Sequence, residues 1–214
     1  MDSTTEALTP KMNPLGLVLA IGGGAIAAGI MGFVYHLVAN KAGIDYIIAL
    51  AAILGAVVGF IVGQASRIGG LRALLVVTVI AFVFGVAGYV ARYFFEFNDQ
   101  IDTAVQEVIQ DATAAGFTAD EVRQLMLEEV ATAYPPGGVV GYLQFVAESG
   151  FSVGSRGSET SEPMLQGGLA WGLLAVEALA AGLVAAGTAR GILRKAEVVA
   201  MTPSSLPPSA PTGM

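Results

Sequence analysis

An all-α polytopic membrane protein, with four transmembrane helices and a small helical cap between the third and the fourth, is predicted by three observations. Charged residues make up only 13% of the 214 residues, against about 25% in a soluble domain, and the mean hydropathy is +0.71. Four apolar runs, at residues 14–39, 44–63, 71–95 and 164–189, reach the roughly 20 residues that cross a bilayer. None alternates apolar with polar residues as barrel strands do, so helices are the spanning structure that satisfies the backbone in lipid. The chain then divides into a tail (1–13), three transmembrane helices (14–97), an acidic helical cap (98–163), a fourth transmembrane helix (164–190) and a disordered tail (191–214).

Composition narrows the chemistry. There is no cysteine, which excludes disulfides, thiolate metal sites and a cysteine nucleophile. His36 is the single histidine, so a multi-histidine metal site is excluded too. The net charge of −7, with no basic stripe, argues against nucleic acid as a partner. No nucleophile elbow, phosphate loop or zinc motif is present, and Gly22-Gly23-Gly24 lies inside an apolar run. No enzyme activity, cofactor or metal is expected; the lipid bilayer is the expected surrounding.

The first run exceeds the 7–15 residues, roughly, of a signal-peptide core, and His36 to Lys41 makes a poor cleavage site, so it is read as a retained helix. Glycine marks the predicted packing faces. Gly24 and Gly29 stand in the first helix, Gly55, Gly59 and Gly63 recur every fourth residue in the second, and Gly168 and Gly172 repeat that spacing in the fourth. Small residues let helix backbones approach closely in lipid. The stripes serve packing within one chain, a homo-oligomer or another membrane subunit.

Four spans put both termini on one side, together with the loop between the second and third spans. That side carries Lys11, Arg67, Arg72, Arg190, Arg194 and Lys195, against Lys41, Arg92, Arg123 and Arg156 on the other. The excess of basic residues predicts both termini in the cytoplasm and the cap outside, with a bacterial inner membrane as the expected location.

In the cap, Ile101, Ala104, Val105, Val108, Ile109 and Ala112 recur at helical spacing, and Gly116 suits the helix end. Thr118 and Glu121 form a capping box for a second helix, with Phe117 and Val122 placed as a hydrophobic staple. Tyr134-Pro135-Pro136 stops it, and a third helix begins near Pro136 and ends at Gly150. The segment holds 11 Asp and Glu against two Arg, mostly on polar faces.

Glu177 is the candidate intramembrane proton or cation site. A carboxyl midway along the fourth helix is costly in lipid, so it must face the bundle and find a partner there, for which Thr78 is a candidate. Arg92 is placed about 12 Å above it, at 1.5 Å per residue, and is expected to snorkel outward to Glu96 or Asp99. His36, Asp45 and Arg92 count as outer-interface charges. Tyr35, Tyr46, Tyr89, Tyr93, Phe94 and Phe95 lie at the same level, as an aromatic belt would.

The stretch Gly141-Tyr142-Leu143-Gln144-Phe145-Val146-Ala147-Glu148-Ser149-Gly150-Phe151-Ser152-Val153-Gly154, followed by Trp171-Gly172-Leu173-Leu174-Ala175-Val176-Glu177-Ala178, resembles a group of uncharacterised bacterial four-helix integral membrane proteins. Their short cap helix ends in an acidic-Gly-apolar-Gly pattern, and their last span carries a mid-span Glu. The loop from Arg67 to Arg72 resembles theirs as well. The resemblance implies the same topology and no activity. Two expectations follow: a structural or accessory subunit packing through glycine-rich helices, or a small proton- or cation-coupled transporter or channel using Glu177.

Overall fold

The computed structural model describes residues 13–42, 48–152 and 164–201. It is all-α: α1 (Pro14–Ala42), α2 (Ile48–Ile68), α3 (Leu74–Ala114), α4 (Ala119–Ala133), α5 (Gly138–Ser149) and α6 (Gly168–Met201). Four of these, α1, α2, α3 and α6, are long and apolar enough to cross a membrane. A two-residue pair, β1 (Phe151–Ser152) with β2 (Met164–Leu165), runs antiparallel below the cap. Asp45, Tyr46, residues 153–163 and residues 202–214 lie outside the described residues.

α6 lies in the groove between α2 and α3, and α1 packs on the same two helices. Each presents one stripe inward. On α2 the buried residues Ala51, Leu54, Gly55, Val58, Gly59, Val62, Gly63 and Ser66 repeat at steps of three and four. On α6 Ala170, Leu174, Glu177, Ala181, Ala185 and Ala189 do the same. The other faces carry exposed apolar residues such as Leu15, Ile26, Phe60, Val79 and Leu183, as a lipid-facing surface requires.

Two helices are longer than their apolar runs. The sequence separates a third span ending near Phe95 from a cap helix at Ile101–Ala112, whereas α3 is one helix of 41 residues. At 1.5 Å per residue it measures about 60 Å, twice the hydrocarbon thickness. The polar stretch from Glu96 to Gln100 marks where the helix leaves the apolar layer, and nothing in it breaks a helix. Asn98 even turns its amide back to Phe94 O at 2.7 Å, within the helix ladder. Likewise α6 starts at Gly168 rather than at 164 and runs on to Met201, so residues 191–201, expected as disordered tail, are helical. Arg190, Arg194 and Lys195 signal a change of solvent, and helix formers continue past them.

The cap is α4 and α5 packed on the protruding half of α3. The capping box of α4 forms: Glu121 N–H donates to Thr118 Oγ1 at 3.3 Å, and Thr118 N–H donates to Glu121 Oε2 at 2.8 Å. Gly116 takes φ 92° at the end of α3, a conformation that only glycine adopts cheaply. Arg123 ties α4 to α3 through Asp102 and through Asn98 Oδ1 at 2.8 Å.

The bonds from Thr118, backbone first and hydroxyl second, hold the Glu121 carboxyl below the usual carboxylate range. A depressed value in the folded state means that this stabilisation is complete above the ordinary carboxylate range and is lost as pH falls through the lowered value. Acid is therefore expected to weaken the first turn of α4. Thr118→Ala is expected to cost about 1 kcal/mol, read as faster amide hydrogen exchange confined to the first turns of α4.

Candidate functional site

The candidate site forms where α1, α3 and α6 meet. Glu177 on α6 is fully buried, with both carboxyl oxygens engaged. Tyr35 OH on α1 donates to Oε1 at 3.2 Å, and Tyr89 OH on α3 donates to Oε2 at 2.8 Å. Tyr89 has one hydroxyl hydrogen, committed to Glu177, so the 3.1 Å contact between Tyr89 and Tyr93 is a bond donated by Tyr93. A carboxyl and three phenols thus form one connected polar unit inside an apolar bundle. Each hydroxyl compensates part of the cost of placing Glu177 there.

Tyr35, Tyr89 and Tyr93, expected in an interfacial belt, are instead 1%, 2% and 3% exposed around Glu177. Thr78, the partner suggested for Glu177, donates to Leu74 O within its own helix at 2.7 Å.

Arg92 keeps Glu96, one of its two expected partners, but departs from expectation in depth. It is 3% exposed, and its guanidinium sits 4.7 Å from the Tyr35 ring centroid and 4.8 Å from that of Tyr93. A cation held over aromatic faces is stabilised by their quadrupoles. Its Nε lies 3.7 Å from Glu96 Oε2, one turn further along α3. Depth assigned helix by helix set Arg92 about 12 Å above Glu177. The bond between Tyr89 and Glu177 fixes the actual register, which leaves Arg92 three residues, or about 4.5 Å, above it.

His36 and Asp99 pair at 2.7 Å, joining the cap end of α1 to α3. The histidine is buried and the aspartate exposed. Asp99, suggested as a partner for Arg92, is thus engaged by His36 instead. Arg92, Glu96, His36 and Asp99 all line a cavity of about 690 Å³ at this end of α1 and α3. Next to it, Tyr142 of α5 accepts from Gln100 Nε2 at 2.8 Å. Burial, and then the Glu96 carboxylate to which it is hydrogen-bonded, push the Tyr142 phenol pKa up.

Beyond Glu177, away from the cap, the bundle is closed by backbone contact. A Cβ at Gly55 would strike Ala181 O and one at Gly59 would strike Ala185 O. One at Gly85 would come within 2.7 Å of Ala181 O. Gly24 lies against the Phe84 ring, and Gly63 against Ala189 and Ile192. Gly29, Gly168 and Gly172 differ: a Cβ there would meet nothing within 4 Å among the described residues. Gly29 shares a face with Ile26 and Phe33, which are exposed.

Among the described residues no group of three or more His, Cys, Asp or Glu converges as a metal site would. Compared with known protein families, curated proteins and solved structures, the chain matches none.

Proposed function

We propose that this chain is a non-enzymatic structural or accessory subunit of a bacterial inner membrane, with both termini in the cytoplasm and the cap outside. The observation that carries this is the way the bundle is fastened. Glu177 is bonded to α1 and α3 on its cap side, and on the other side α6 lies in direct backbone contact with α2 and α3. Rigid contacts of this kind suit a fixed platform for the cap. The basic residues at Lys11, Arg67, Arg72, Arg190, Arg194 and Lys195 support the orientation.

The open glycines supply the test for a partner subunit. Gly29→Leu and Gly172→Leu are expected to leave the monomer folded, and to release a bound subunit if that face carries one. The readout is the size of the particle extracted in mild detergent, alongside its melting curve. Unchanged size for both variants would remove these faces from the account.

A second reading is favoured by one observation. The chain Tyr93–Tyr89–Glu177 ends beside Arg92, which lines the cap-end cavity. A proton- or cation-coupled transporter would use that route. In liposomes, Glu177→Gln is expected to leave ion flux unchanged for an accessory subunit. Loss of a flux that the unaltered protein supports would establish the transporter.

A further inference from the structure

The cap holds a second cavity, of about 300 Å³, open to one side and lined by α3, α4 and α5. Phe97 and Gln100 come from α3, Tyr142 and Phe145 from α5, Glu129 from α4, and Tyr134 from its end. The spacings of three on α3 and on α5 put each pair on one helix face. The four rings run in a chain along the wall. Centroids are 5.7 Å apart for Phe97 and Tyr142, 6.3 Å for Tyr142 and Phe145, and 5.6 Å for Phe145 and Tyr134. The remaining lining is aliphatic, and Glu129 is the only charged side chain in it among the described residues.

This lining selects a chemistry. Aromatic faces and a carboxylate both present negative potential. The surrounding segment, 98–163, adds the same sign, with 11 acidic residues against two Arg. The favoured occupant is therefore a cation with an apolar surface. A primary ammonium brings three N–H donors that need acceptors. Here one carboxylate, Glu129, and the neutral side chains of Gln100 and Tyr134 are the polar groups beside Tyr142, and most of the wall is ring face and aliphatic carbon. A quaternary ammonium brings no donors and matches an aromatic wall. The volume lies at the small end of the range for ligand pockets, roughly 300–1,000 Å³.

We propose that the cavity between α3, α4 and α5 binds a trimethylammonium group, with the rings of Phe97, Tyr134, Tyr142 and Phe145 as its wall and Glu129 as its counter-charge. Phe97 is two residues beyond Phe95, where the apolar run of α3 ends, so the cavity sits near lipid headgroup depth. The group is carried either by a small free quaternary ammonium compound or by a choline-type lipid headgroup.

The test uses the full chain in a maltoside detergent, which carries no ammonium group. Choline is titrated and its methyl protons are followed by saturation-transfer NMR, with 3,3-dimethylbutanol as the neutral isostere. Choline is expected to bind and the isostere to bind at least several-fold more weakly. Phe145→Leu keeps an apolar side chain at a position that is 40% exposed. It is expected to weaken choline about three- to tenfold, the loss of one cation–π partner. Glu129→Gln, on an exposed helix face, is expected to weaken it and to flatten its salt dependence. Equal binding of choline and its isostere, no binding of choline, or an unchanged affinity in Phe145→Leu would each overturn the proposal. Repeating the titration in nanodiscs identifies the source. Weaker apparent binding in phosphatidylcholine than in phosphatidylethanolamine discs, both zwitterionic, means that the trimethylammonium headgroup competes for the site, and equal binding means a free ligand.

Discussion

Gly59→Leu is expected to abolish accumulation of folded protein, while Gly172→Leu leaves the melting temperature nearly unchanged. Both glycines belong to four-residue stripes that look alike in the sequence, yet their surroundings differ in kind. At Gly59 the added carbons meet the Ala185 backbone, which cannot rotate aside as a side chain can. α6 would have to move off α2, and Gly55, one turn away, is held against the same helix. Overpacking a core costs about 1–3 kcal/mol where side chains can yield. Here the cost falls at or above the top of that range, a large part of a typical stability of roughly 5–15 kcal/mol. Gly172 has nothing within 4 Å among the described residues, so leucine there meets no part of the bundle. Expression and thermal melting in detergent check the pair, and equal destabilisation of the two would contradict the packing described.

Removing the acceptor at the centre is the second large effect. Glu177→Ala leaves the hydroxyls of Tyr35 and Tyr89 buried without it. An unsatisfied buried hydroxyl costs about 1–3 kcal/mol; Tyr89 still has Tyr93 as a partner, so the predicted loss is that of one such group, about 1–3 kcal/mol. Glu177→Gln keeps one carbonyl oxygen in nearly the same shape, and the other phenol can turn to accept from the amide. It is expected to cost markedly less than the alanine. Combining Tyr89→Phe with Glu177→Ala should cost less than the sum of the two, because each change breaks the same bond. Strict additivity in that double-mutant cycle would mean that the 2.8 Å bond contributes nothing to stability.

Both effects were only partly legible in the sequence, for physical reasons. Hydropathy marks where a helix leaves the apolar layer and is silent on where it ends. Hence α3 and α6 extend past their apolar runs and α2 runs to Ile68 rather than 63, while the presence of four long apolar helices and the Thr118–Glu121 capping box follow the pattern. Glu177 was conspicuous because a carboxyl in an apolar run has few uses. Its partners were not, because periodicity gives the inward face of each helix and says nothing of register between helices. Tyr89 and Tyr93 read as belt residues when counted from the end of the run. The packing of Gly85 on Ala181, together with the bond from Tyr89 to Glu177, holds α3 at its actual height. The glycine stripes show the converse limit. Four-residue spacing states that a face is smooth, and Gly59 and Gly172 differ only in what faces them.

The mass and composition of the intact particle, extracted in mild detergent from the native membrane, test the account most directly. A structural or accessory subunit predicts a second protein in fixed stoichiometry, retained through purification. A particle made of this chain alone, with ion flux in liposomes that Glu177→Gln abolishes, would contradict it.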